Sequence, residues 1–256
     1  MSRTERRGGV KRAALTLILI FCLLGAALLG LLAWRQWVPL AQAEAGYDGM
    51  RRAYCAGDSG PDWAALEQAY PGIAGWLSAP EIGIDYPVMQ GRDNRYYLTH
   101  LPDGSYNVVG SVYMDAANDP LLTDPLTIVY GHHVGGGKMF SPLVKYRDAE
   151  FAAQHPTMTY YTREGAYQVE IFAAHEADGS ESAFLWGYGA GETQEDAALW
   201  LEELAARSDI SGEIQPQPGD RLLALVTCSS LGEGAPRYIV YGILKPADAQ
   251  AQERQE

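Results

Sequence analysis

A mostly β fold, closed or nearly closed into a barrel, is the class this sequence predicts. Three observations predict it. From Trp76 onward the chain breaks into short apolar segments separated by Gly, Pro, Asp and Asn, the texture of strands joined by tight turns. Some segments are near-continuous apolar runs, as strands buried on both faces are, and others alternate. Helical periodicity is missing between most of them, which argues against an alternating α/β sheet.

In chain order, residues 1–12 carry Arg3, Arg6, Arg7, Lys11 and Arg12 against the single acid Glu5. Residues 13–34 (AALTLILIFCLLGAALLGLLAW) hold no charge and are long enough to cross a bilayer as a helix. The basic flank keeps the N-terminus cytoplasmic and sends the rest outside, so a single-pass anchor with an extracellular domain is expected. A cleaved signal peptide is the competing reading, with Ala41-Gln42-Ala43 resembling its processing site, although the apolar run exceeds a usual signal core. Residues 35–74 read as a helical lead-in that spaces the domain from the membrane. A turn-rich break covers 57–61, and Asp62 is placed to cap a short helix through Ala69 ahead of Pro71.

The barrel domain is expected over 75–246. Its candidate strands are 82–88, 110–114, 126–130, 158–162, 166–173, 222–227 and 238–244. One segment breaks the pattern: in 193–208 (TQEDAALWLEELAARS), Ala197, Trp200, Leu201 and Leu204 recur at helical spacing, and Thr193 with Asp196 gives a capping-box-like start. Residues 247–256 are expected to be a disordered tail.

Beyond residue 36 the chain carries 13 basic and 31 acidic side chains, a net charge near −18. That excess argues against nucleic acid or an anionic membrane surface as partner. Cys22 falls in the apolar run, which leaves Cys55 and Cys228 and no disulfide framework. The count leaves a bridge between those two open. Cys55 sits in a polar stretch, however, whereas Cys228 ends an apolar run, and we read Cys228 as a free thiol.

Cys228, Arg237 and a histidine of the His132-His133 pair form the candidate catalytic set. Leu225-Val226-Thr227-Cys228 takes the chain from a buried strand into a Gly-rich loop at the thiol itself, and Arg237 opens the next strand. Upstream, a strand runs into Gly131-His132-His133. A thiol supplies a nucleophile, an imidazole can protonate a departing amine and deprotonate an attacking one, and a guanidinium steadies an oxyanion. Together they suffice for acyl transfer through a thioester. The Gly135–Gly137 run before Lys138 does not make a phosphate loop, because His132 stands where glycine is needed and Met139 where Ser or Thr should bind magnesium. His132, His133, His175 and Cys228 are weak zinc candidates: adjacent histidines on an extended segment point to opposite faces, and no paired-ligand spacing is present. No metal and no cofactor is expected.

These residues resemble the sortases, cysteine transpeptidases of Gram-positive bacteria, and within them class B. The resemblance is carried by Ala224-Leu225-Val226-Thr227-Cys228, Arg237 and Gly131-His132, with Ala224 where the family has Thr, a change that does not touch the chemistry. It extends to GWLSAPEIGIDYPVMQGRDNRYYL (75–98), GSVYMD (110–115) and VYGHHVGGGKMFSPLVKY (129–146), and covers roughly residues 60–245. It implies an eight-stranded β-barrel with N-terminal helices and one helix between the sixth and seventh strands. It implies that Cys228 cleaves a C-terminal sorting signal after Thr, with His132, which follows Gly131, as acid and base and Arg237 at the oxyanion. The acceptor would be a cell-wall precursor or pilin amine. Asn94, Leu98 and Thr227 match positions that bind substrate. The same three catalytic groups also admit a thiol peptidase that hydrolyses the signal, and a surface binding module with a silent site is the reading from another class.

Overall fold

The structure, a computed structural model, describes residues 3–55, 60–178, 182–185, 187–189, 193–211, 214–228 and 236–247, with the backbone alone at Cys228. It divides into two compact units, Met1–Ala45 and Gly46–Glu256. Helix α1, Arg3–Tyr54, supplies the first unit and continues into the second. It contains an apolar stretch of mean hydropathy 2.8, long enough to cross a membrane by length and composition.

In the second unit, helix α2 (Trp63–Ala69) is capped by Asp62, whose side chain accepts the Ala65 N–H at 3.2 Å. The strands follow: β1 (Ile73–Ala79), β2 (Ile84–Met89), β3 (Val112–Met114), β4 (Leu126–Val134), β5 (Lys138–Met139), β6 (Thr157–Thr162), β7 (Gly165–Ala177), β8 (Leu222–Cys228) and β9 (Arg237–Pro246). Between them lie helices α3 (Ala149–Gln154), α4 (Ser182–Leu185) and α5 (Gln194–Arg207). Eight strands close a ring in the order β3-β2-β1-β6-β7-β9-β8-β4, with β3 pairing back onto β4. All neighbours in the ring are antiparallel except β2–β3 and β4–β8. The two-residue β5 hangs on the end of β4 as a hairpin. The predicted barrel is therefore present, and α5 falls between its sixth and seventh strands, β7 and β8.

Several strands differ from their sequence prediction: β1 and β5 are not among the predicted segments, and β4 and β7 each run four residues further. β1 carries Ala, Gly and Ser among its apolar residues and shows no β-branched run, so it gives little propensity signal. Its glycine is set by packing: a Cβ on Gly75 would stand 2.3 Å from the Tyr160 hydroxyl. Ile82, expected to open a strand, instead closes a 3-10 turn over Pro80–Ile82 that ends on left-handed Gly83 (φ 87°) before β2 begins. Gly110 likewise sits in a left-handed turn ahead of β3. β4 runs four residues further than predicted and takes Gly131 and His132 into the sheet. The loop that follows Cys228 and the tail from 248 lie outside the described residues.

The core face that positions the site is built in rungs across β4, β8 and β9. Leu126, Leu222 and Ile243 make one rung, Ile128, Ala224 and Tyr241 the next, and Tyr130, Val226 and Ile239 the third, each residue paired with its neighbours. All nine are buried in one cluster with Trp200, Leu201 and Leu204 of α5. Trp200 meets Tyr241 edge-on at 6.0 Å and donates its indole N–H to the Phe184 carbonyl at 2.8 Å. α5 forms because its apolar residues recur on one stripe and its start carries a complete capping box between Thr193 and Asp196.

Candidate active site

Past the last of those rungs, the same strands carry the three predicted catalytic positions. In the parallel β4–β8 pair, Gly131 lies opposite Thr227 and His132 opposite Cys228. In the antiparallel β8–β9 pair, the register runs as far as Val226 opposite Ile239, two residues short of Cys228 on one strand and of Arg237 on the other. Side chains alternate along a strand, so His132 shares a strand face with Tyr130, and Arg237 with Ile239. Neighbouring strands stand about 4.8 Å apart, and the cysteine strand runs between those of the histidine and the arginine. The cysteine thiol itself lies outside the described atoms.

His132 is half-buried, whereas His133 is exposed and pairs with Met139 across the hairpin. Nε2 of His132 lies 2.8 Å from the Leu98 carbonyl oxygen. A carbonyl can only accept, so Nε2 carries the hydrogen and Nδ1 is the nitrogen left to exchange a proton. The backbone of His132 is held as well, its carbonyl accepting the Phe140 N–H at 3.0 Å. Gly131 makes room for this return: a Cβ there would meet the Phe140 ring at 2.6 Å. The hairpin between them turns through Gly136 and Gly137 at positive φ and re-enters at Met139, a buried non-glycine residue at φ 54°. Arg237 is half-buried and lies opposite Ala177 of β7.

The predicted substrate positions divide. Leu98 is half-buried at the site, with its carbonyl on the histidine. Thr227 is buried, and its hydroxyl accepts the Tyr238 N–H at 2.7 Å, tying β9 to β8 one residue before the cysteine. Asn94 uses its side chain inside the protein: Nδ2 donates to Asp115 at 2.8 Å and Oδ1 accepts the Ala116 N–H at 2.8 Å. The Asp115 carboxylate, 3% exposed, also accepts the Tyr130 hydroxyl at 3.0 Å and the Ala117 N–H at 2.9 Å. A buried carboxylate is tolerable when donors surround it in this way. It links the segment that carries Leu98 to the strand that carries His132. The sequence reading passed over Asp115, although an acid closing the apolar GSVYM segment is the kind of signal that marks a buried hub.

Cys55 is a free thiol, so no bridge to Cys228 forms, and burial pushes it up to about 11. Among the described residues, no three His, Cys, Asp or Glu side chains gather in a metal-holding group.

Comparison with known proteins gives a consistent result. The Sortase domain family matches residues 77–245. The chain is 32% identical to Sortase B of Listeria monocytogenes over 165 residues, 64% of this chain and 66% of that protein, about two thirds of the relative's length. It is 28% identical to Sortase B of Staphylococcus aureus over 180 residues, 70% of this chain and 72% of the other. Among solved structures, the Staphylococcus aureus sortase B–substrate complex superposes with a TM-score of 0.74 at 26% identity, covering 81% of this chain and 98% of the other. Clostridium perfringens sortase B superposes with a TM-score of 0.64 at 25% identity, covering 71% and 98%.

Proposed function

The chain belongs to the sortase family of cysteine transpeptidases, and on that premise we propose that it is a membrane-anchored class B enzyme using Cys228, His132 and Arg237. It cleaves a C-terminal sorting signal after Thr and passes the shortened protein to a cell-wall or pilin amine. The observation that supports this reading is the β4–β8 register, which pairs His132 with Cys228, beside β9, the strand that Arg237 opens.

The chemistry follows from those positions. The Cys228 sulfur, as thiolate, adds to the threonine carbonyl, and the electron pair goes to the oxygen. Arg237, always charged, and a backbone N–H beside the cysteine face that oxyanion. His132 delivers a proton from Nδ1 to the departing amine, the C–N bond breaks, and a thioester remains. An acceptor amine then adds to the thioester and gives its proton to Nδ1. Collapse expels the thiolate and forms the new amide. The Leu98 carbonyl keeps the imidazole from turning between the two half-reactions. Leu98 and Thr227 border the acyl site, and Asn94 shapes its wall through Asp115.

The apolar stretch of α1 serves as an uncleaved single-pass anchor, with the basic residues 3–12 cytoplasmic and the barrel outside. The test is a product analysis with a small library of sorting-type peptides, with and without an added amine. A Cys228-dependent amine adduct in excess over free acid supports transpeptidation. Free acid alone would instead make the enzyme a thiol peptidase, and a chain that neither cleaves nor takes a label at Cys228 would be a silent binding module.

A further inference from the structure

Tyr47, near the end of α1, lies far in sequence from the reactive residues yet bears on both anchors of His132. It belongs to the unit Gly46–Glu256 and is 1% exposed. Its hydroxyl donates to the Gly110 carbonyl at 2.8 Å, a buried bond. Gly110 is held in a left-handed turn (φ 61°), with its N–H on the Asn107 carbonyl at 2.9 Å. This turn backs directly onto the acceptor of the histidine: a Cβ on Gly110 would stand 2.5 Å from the Leu98 carbonyl oxygen and 2.6 Å from that of Tyr97. The neighbouring Ser111 N–H holds the Tyr97 carbonyl at 2.9 Å. The Leu98 oxygen therefore has fixed backbone behind it and the His132 Nε2–H in front.

A second path leads to the histidine backbone. The Tyr47 ring meets Tyr86 edge-on at 5.1 Å, and Tyr86 accepts the Met139 N–H at 3.2 Å. The next residue, Phe140, donates to the His132 carbonyl. Arg51, one helical turn on, lies over the same Tyr86 ring at 5.6 Å and donates to the Asp85 carbonyl at 2.6 Å.

We propose that Tyr47 is a positioning residue for His132, acting through the Gly110 turn and the Leu98 carbonyl. The inference rests on the reading of His132 as the acid–base group. A free Gly110 carbonyl lets the turn and the Leu98 oxygen drift, and the imidazole drifts with them. Small shifts of the Leu98 carbonyl act on the imidazole more than on peptide binding, and a misplacement of about 1 Å costs on the order of a hundredfold in turnover. Tyr47→Phe keeps the ring and removes the hydroxyl alone.

The experiment uses the full chain in detergent with a cleavable sorting-type peptide, each variant assayed well below its unfolding temperature. Met50→Ala is the control: Met50 is buried on the same helix, and its truncation loosens packing while leaving the Tyr47 bond in place. Tyr47→Phe is expected to lower kcat by about five- to twentyfold with KM within about twofold. Gly110→Ala, which displaces the Leu98 carbonyl from the other side, is expected to lower kcat in the same way, and Met50→Ala to leave it within about twofold. Tyr47→Phe turning over like the wild type overturns the proposal. So does an equal kcat loss in Met50→Ala, since Tyr47 would then act only by docking the helix. His132→Ala distinguishes the level of failure: if it stays active, the acid–base assignment itself falls.

Discussion

Gly131 has no room for a side chain, because the Phe140 ring occupies the place where its Cβ would go, 2.6 Å away. Phe140 is wholly buried, and its N–H is on the His132 carbonyl, so neither partner can yield without moving the histidine strand. Gly131→Ala should therefore destabilise the domain by about 1–3 kcal/mol, as overpacking does. It should also lower kcat in the fraction that stays folded, checked by thermal unfolding and peptide turnover on the same sample. A second residue-scale expectation concerns the thiols. Burial pushes Cys55 up to about 11, so at pH 8 it should alkylate on the order of a hundredfold more slowly than an exposed thiol. Its rate should climb until the pH passes about 11. Peptide mapping after iodoacetamide treatment across this range reads the difference directly, and fast labelling of Cys55 at pH 8 would contradict the burial.

Helix α5 packs Trp200, Leu201 and Leu204 into the same buried cluster as the inner rungs of β4, β8 and β9. Trp200, 7% exposed, packs on Tyr241, Phe184 and Tyr188. Trp200→Ala should cost about 3–5 kcal/mol, and Thr193→Ala, which removes the capping box, about 1 kcal/mol. Chemical denaturation of both variants against wild type measures the ratio, and equal losses would mean that the helix is held by its cap rather than its face. This element was legible in the sequence because its signals are local: a stripe at helical spacing, a cap and a length. β1 was not, since Gly75 and its small neighbours make sense only once Tyr160 lies over them. The far end of β4 was not legible either. Gly131-His132 reads as the end of a strand until β8 arrives alongside to pair it.

At the scale of the whole molecule, the sequence nominates three groups but does not record the pairing that brings their strands together. Residue type, the strand ending in Cys228 and the short link to Arg237 nominate the thiol and the guanidinium, while the choice of His132 over His133 rests on the family resemblance. His132 and Cys228 are aligned by a parallel pairing between β4 and β8, segments separated by three strands and three α-helices, and no local pattern records such a register. The Asp115 hub and the Tyr47–Gly110–Leu98 path were hidden for the same reason: each joins residues that only closure of the barrel brings together. The proposed reaction puts an acyl group on the Cys228 sulfur. It is tested most directly by mixing the full chain with a cleavable sorting peptide in the absence of acceptor amine, quenching in acid and mapping the intact adduct by mass spectrometry. The account predicts the mass of the peptide fragment ending in Thr on the segment containing Cys228, released by hydroxylamine and absent from Cys228→Ala. Cleavage that proceeds with no adduct, or that survives in Cys228→Ala, would contradict it.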